Sequence, residues 1–150
     1  MKIVLQRVSD AKVTIHNEVK SQIKKGYLIL LGVGQNDSQI DIDWLCQKII
    51  NLRIFSDNDE KMNLSIQDIN GEILLISQFT LYASTKKGNR PSFLKSAKPE
   101  QAIPLYNSFI TTLNNQLNTE IQTGVFGADM KINLTNDGPV TITIDSKNKT

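Results

Sequence analysis

The stretch Gly26-Tyr27-Leu28-Ile29-Leu30-Leu31-Gly32-Val33-Gly34 decides the fold class of this 150-residue chain. An uninterrupted apolar run of strand length, opened by one glycine and closed by another, reads as a buried β-strand. Immediately after it, Asp37 or Ser38 is placed to cap a helix, and Ser38 and Asp41 are spaced like a capping box. Ile42, Leu45, Ile49 and Leu52 then recur at three- and four-residue steps, so they share one helix face.

Working towards the N-terminus, Ile3-Val4-Leu5 and Val13-Thr14-Ile15 are β-prone runs separated by the polar Ser9-Asp10. His16-Asn17-Glu18 reads as a turn. Working towards the C-terminus, Ser56-Asp57-Asn58-Asp59-Glu60 reads as a solvated loop, because it lacks the glycine and closing glutamate of a calcium loop. Asn70-Gly71 is a turn leading into a second buried strand, Glu72 to Phe79. A second amphipathic helix runs from about Pro99 to Leu117, with Ala102, Leu105, Phe109, Leu113 and Leu117 on one side. Pro104 would cost that helix an early hydrogen bond unless it begins nearer Ile103. Met130 to Leu134 and Val140 to Ile144 alternate as strands around Asn136-Asp137-Gly138-Pro139, and the polar Ser146 to Thr150 is expected to fray. The whole predicts a single α/β domain over residues 1–150, with a mixed sheet and two main helices.

Composition narrows the function. Hydrophobic residues make up 39% and charged residues 21%, an ordinary globular balance. No apolar run approaches the roughly 20 residues of a membrane helix. The apolar part of Met1-Lys2-Ile3-Val4-Leu5-Gln6-Arg7 is too short for a signal peptide, so a cytoplasmic protein is expected. Cys46 stands alone, which precludes an internal disulfide and reads as a buried helix thiol. A net charge of +2 does not by itself announce nucleic acid. His16 is the only histidine, so no two-histidine zinc site is available, and no Gly-x-Ser-x-Gly elbow accompanies it. Gly32-Val33-Gly34 lacks the third glycine of a dinucleotide fingerprint. A hydrolase built on this chain would use backbone groups, hydroxyls and its substrate rather than a histidine base; no metal or cofactor is expected.

Three segments carry chemical signal. Ser77-Gln78-Phe79-Thr80-Leu81 closes a buried strand, and it is either a plain change from buried to exposed strand or a set of hydrogen-bonding groups beside an aromatic. Asn136-Asp137-Gly138-Pro139 is either a simple turn or a special backbone geometry, since glycine takes angles closed to other residues and an X-Pro bond can be cis. Lys86-Lys87-Gly88-Asn89-Arg90-Pro91-Ser92-Phe93-Leu94-Lys95 is either a solvated loop or a basic surface for phosphates and unstacked bases.

In their order and separation these segments resemble the D-aminoacyl-tRNA deacylases of the bacterial and eukaryotic type, once called D-Tyr-tRNA deacylases. The resemblance also takes in Gln6-Arg7-Val8, Leu30-Leu31-Gly32-Val33, Arg53-Ile54-Phe55-Ser56-Asp57, Lys61-Met62-Asn63-Leu64 and Arg90-Pro91-Ser92-Phe93. It continues through Thr123-Gly124-Val125-Phe126-Gly127-Ala128-Asp129-Met130 and Asn136-Asp137-Gly138-Pro139-Val140-Thr141, and so runs over nearly the whole chain.

The resemblance implies a deacylase-like fold with a partly barrel-like sheet, and a homodimer in which a cis Gly138-Pro139 motif enters the partner's pocket. It implies a substrate, aminoacyl-tRNA held by its 3′-terminal adenosine, with the ester of a D-amino acid, or of glycine mischarged on tRNA-Ala, being hydrolysed. Carbonyls of Gly138 and Pro139 would capture the α-amino group and clash with an L side chain, Arg7 would orient the motif, and Ser77, Gln78, Phe79 and Thr80 would form the catalytic pocket. Phe126 and Met130 are expected to pack near it, and Lys86, Lys87, Arg90 and Lys95 are candidates for tRNA phosphates. The alternatives are a non-catalytic tRNA- or RNA-binding module and an esterase of another substrate that recruits His16.

Overall fold

The computed structural model describes residues 1–149, and within them the buried run becomes strand β3 (Gly26–Gly32). It is preceded by β1 (Lys2–Ile15) and β2 (Glu18–Ile23) and followed by helix α1 (Gln39–Asn51). The short strands β4 (Phe55–Ser56) and β5 (Met62–Leu64) form a separate antiparallel pair. Next come β6 (Glu72–Ser77), a 3-10 turn over Phe79–Tyr82, α2 (Pro99–Asn114), β7 (Gln122–Thr123) and β8 (Lys131–Asp145).

β3 is apolar throughout because both its faces are covered. Tyr27, Ile29 and Leu31 point to the helix layer, where they meet Ile42, Leu45 and Ile49 of α1 and Phe109 and Leu113 of α2. Leu28 points the other way, into a second core with Val8, Val13, Ile23, Leu74 and Ile76. The strand path is β2-β1-β3-β6-β7, with β8 on the other side of β1. β1 pairs antiparallel with β2, β3 and β8, whereas β3–β6 and β6–β7 are parallel, giving the mixed sheet expected. Its ends approach each other: Ser21 of β2 donates Oγ to the Thr123 carbonyl of β7 at 2.6 Å. The sheet is therefore nearly closed. Gly26 is required where β3 meets β6, since a Cβ there would fall 1.8 Å from the Glu72 carbonyl oxygen.

Some local expectations hold and others are revised. The two runs in the first fifteen residues are one strand, because β8 and β2 supply partners past Ser9-Asp10. His16 and Asn17 make the turn, both with positive φ. Ser38 caps α1 with the reciprocal Asp41 bonds of a capping box. The second helix starts at Pro99 and ends at Asn114 rather than Leu117, with Pro104 inside it. Pro104 is exposed, so water can satisfy the carbonyl that its missing N–H leaves open.

The expected frayed tail is anchored at its start. Ser146 is buried, accepts from the Met1 α-ammonium at 2.7 Å and donates to Asp41 at 2.7 Å. The same ammonium meets Asp37 at 2.5 Å, and Lys147 pairs with Asp41 at 2.8 Å. Burial alone would raise the Asp41 carboxyl, but hydrogen bonds from Lys147, Ser146 and Ser38 outweigh it and hold that group well below the usual carboxylate range. Thr150, the last residue of that expectation, lies outside the described residues. Cys46 is fully buried, and its thiol is pushed up to about 12 by burial, as an inert core thiol should be. Among the described residues no helix is long and apolar enough to cross a membrane.

Candidate active site

The polar end of β6 opens into a cavity of about 680 Å³. β6 runs parallel to β3 until Ser77 pairs with Leu31, and the Gln78 amide donates to the Leu31 carbonyl at 2.7 Å. The chain then folds into the 3-10 turn over the end of β3. Gly32 makes that possible, because a Cβ there would lie 3.0 Å from the Gln78 carbonyl oxygen and 3.1 Å from the Leu81 side chain. The turn is pinned from below: Tyr82 donates its hydroxyl to Asp37 at 3.2 Å, and Gly34 leaves room for the tyrosine ring.

Ser77, Gln78 and Phe79 all line the cavity. Thr80 does not; it is exposed in the turn, and its hydroxyl accepts a hydrogen bond from the Gln78 side-chain amide. The first N–H groups of a 3-10 turn have no acceptor within it, so the Phe79 and Thr80 amides are placed to donate outward. Phe79 is 56% exposed and packs edge-on against Phe93 with ring centroids 5.0 Å apart.

The opposite wall comes from the segment between β7 and β8. Phe126 and Met130 both line the cavity, Phe126 also meeting Tyr106 edge-on at 5.6 Å. Met130 fits because residue 124 is glycine: a Cβ there would lie 2.4 Å from the methionine sulfur. Phe93, Lys98, Pro99 and Asp129 also line it and were missed as pocket residues. Phe93 carries an aromatic signal within Arg90-Pro91-Ser92-Phe93; Lys98 carries none, since only the docking of α2 brings its N-terminus to the pocket.

Lys86, Lys87, Arg90 and Lys95 are exposed and do not line the cavity. Lys86, Lys87 and Arg90 sit on a loop clasped by reciprocal Ser84–Ser92 backbone bonds of 2.8 and 3.0 Å, and Lys95 follows it between Phe93 and Ser96, which line the cavity. The basic loop therefore borders the mouth. His16 is exposed and takes no part in the cavity lining, so a triad built on it has no support.

Gly138 and Pro139 lie outside the cavity too. They are not a turn between two hairpin strands but an exposed irregularity inside β8, where pairing with β1 breaks register around Arg7. The Gly138-Pro139 bond is cis, and Gly138 has φ +135°. Arg7 is buried and donates from Nε to the Asp137 carbonyl at 2.9 Å, while its Nη1 donates to the Ile54 carbonyl. Asn136 adds a second clasp, accepting from the Val140 amide at 2.8 Å.

Comparison with known proteins agrees with this architecture. A family model described as D-Tyr-tRNA(Tyr) deacylase matches residues 4–145. A D-aminoacyl-tRNA deacylase of Flavobacterium psychrophilum is 63% identical over 149 residues, covering 99% of both chains. One of Bacteroides thetaiotaomicron is 62% identical with the same coverage. Among solved structures, one titled c-Myc DNA Unwinding Element Binding Protein superimposes with a TM-score of 0.92 at 42% identity, over 97% of this chain and 98% of that one. A probable eukaryotic D-amino acid tRNA deacylase shares the fold, with a TM-score of 0.78 at 14% identity over 95% and 97% of the two chains. With the family model spanning nearly the whole chain and relatives above 60% identity, the chain belongs to the D-Tyr-tRNA(Tyr) deacylase family.

Proposed function

We propose that the chain hydrolyses the ester between a D-amino acid and the 3′-terminal adenosine of tRNA, and the same ester of glycine mischarged on tRNA-Ala. The observation that carries this reading is an exposed Gly138-Pro139 motif, braced by buried Arg7, in a chain whose own apolar cavity that motif does not enter. A homodimer in which each motif reaches the other subunit's cavity gives both features a use. The names of the relatives support the substrate class.

In this reading the terminal adenosine lies among Phe79, Phe93 and Phe126, with Ser77 and Gln78 at the ester. Water adds to the ester carbonyl, and the oxyanion forms against the Phe79 amide, a preorganised donor of a kind worth about 2.7–4 kcal/mol. The C–O bond then breaks, leaving the carboxylic acid and the ribose hydroxyl, with the neighbouring 2′-hydroxyl shuttling the proton. That assistance suits a pocket without histidine and gives a preference for RNA. The partner's Gly-Pro carbonyls take the α-amino group that every aminoacyl ester carries, so an L side chain is driven into backbone while D-amino acids and glycine are accepted. A substrate of this kind supports a cytoplasmic location.

The test is cleavage of matched D-tyrosyl- and L-tyrosyl-tRNA by the purified protein. Rapid loss of the D ester alone is expected. Binding of tRNA without cleavage of either would sink the reading in favour of a non-catalytic tRNA-binding module.

A further inference from the structure

One charged residue that lines the cavity has no part in the catalytic reading. Its lining is dominated by apolar and small groups, and only two lining residues carry charge: Asp129 and Lys98. Asp129 is already paired with Lys131 at 3.0 Å. Lys98 is exposed, and its ammonium makes no hydrogen bond or ion pair among the described residues. Its backbone is fixed as the N-cap of α2, accepting from Gln101 and Ala102 at 3.0 and 2.8 Å. The lysine thus stands on a rigid helix start, next to Pro99 and Ala102, which line the same cavity.

A nucleoside entering an apolar pocket brings its 5′ phosphodiester with it, and a lysine on the lining whose backbone is fixed is placed to meet that phosphate. We propose that Lys98 binds the phosphate that joins the terminal nucleoside to the rest of the RNA, and so sets how firmly the acceptor end is held. This rests on the deacylase reading above. It assigns Lys98 a binding role with no part in the bond-breaking step. It also extends the positive surface of Lys86, Lys87, Arg90 and Lys95 to the cavity itself, so that one cation reads the last phosphate and the loop reads earlier ones.

The test compares Lys98→Met and Lys98→Arg with the parent on two substrates, D-tyrosyl-tRNA and 3′-D-tyrosyl-adenosine, which has no phosphate. For Lys98→Met, the KM for the tRNA should rise about 3- to 10-fold relative to the KM for the adenosine ester, as for loss of one charge-assisted contact. The slope of log KM against log salt for the tRNA should flatten by about 0.7, one single-strand phosphate. Lys98→Arg should restore both. A fall in kcat on the phosphate-free ester would overturn the proposal, because it would put Lys98 at the reacting carbonyl. An unaltered KM ratio and salt slope would overturn it as well. Failure of the parent protein to cleave either substrate would instead remove the deacylase reading, and this proposal with it.

Discussion

Arg7 and Asp137 are joined by a 2.9 Å hydrogen bond from the guanidinium Nε to the main-chain carbonyl immediately before Gly138. The second arm of the same guanidinium holds the Ile54 carbonyl, and the Asp137 carboxylate lies 3.6 Å from Nε. One buried side chain therefore ties the exposed motif of β8 to the start of the β4 segment.

Arg7→Lys keeps the charge but loses the planar fork that reaches both carbonyls. It is expected to cost about 1.5–3 kcal/mol of stability, the range for hydrogen bonds to charged groups. It should also lower kcat/KM on D-tyrosyl-tRNA by about tenfold or more, equivalent to about 1.4 kcal/mol. Urea melts and steady-state kinetics on one preparation check both.

Gly138→Ala places a methyl group 2.8 Å from Arg7 Nη2 and 2.8 Å from Val140 Cγ2, at a φ of +135° that L side chains rarely adopt. The structure must shift, and holding a non-glycine residue at such an angle costs on the order of 1–3 kcal/mol. The ratio of D- to L-tyrosyl-tRNA cleavage should fall in the variant that still folds. A full ratio in that variant would mean the motif does not select the hand of the substrate.

Reversing two loop charges, Lys86→Glu with Arg90→Glu, should weaken tRNA binding while leaving thermal stability nearly as it was, since both residues are exposed. Each phosphate contact removed flattens the salt dependence of binding by about 0.7–0.9. Filter binding across a salt series reads this, and an unchanged slope would show that tRNA does not touch the loop.

Asp41 gives the fold an acid limit. Its folded carboxyl sits below the unfolded value of about 3.9, so it contributes stability above that pH and loses it as pH falls towards the folded value. Melting temperature should drop through the range just below about pH 4. Asp41→Asn should be less stable than the parent at neutral pH and show a shallower decline on acidification.

Much of the fold was legible locally. The Gly26–Gly34 run, the Ser38/Asp41 capping box and the buried Cys46 are short-range signals, and each was found where the pattern placed it. Ser77, Gln78, Phe79, Phe126 and Met130 line one cavity, whereas Thr80 of the same motif stays outside it. The Ser9-Asp10 break was not real, because a polar pair can stay exposed in a strand whose partners continue past it. Pro104 was tolerated inside α2 for the same kind of reason: its side faces water. Ser146 looked loose because its partners, Met1 and Asp41, are 145 and 105 residues away.

The sequence by itself determined where strands and helices form, since apolar spacing and capping act within a few residues. It also carried the motifs by which the chain is recognised. Tertiary structure alone decided that Gly138-Pro139 is a braced irregularity within a long strand, held by an arginine 130 residues earlier. It alone brought the start of α2, and with it Lys98, to the mouth of the pocket. A turn and a strand irregularity share the same residues, and only the pairing partner, supplied by distant chain, tells them apart.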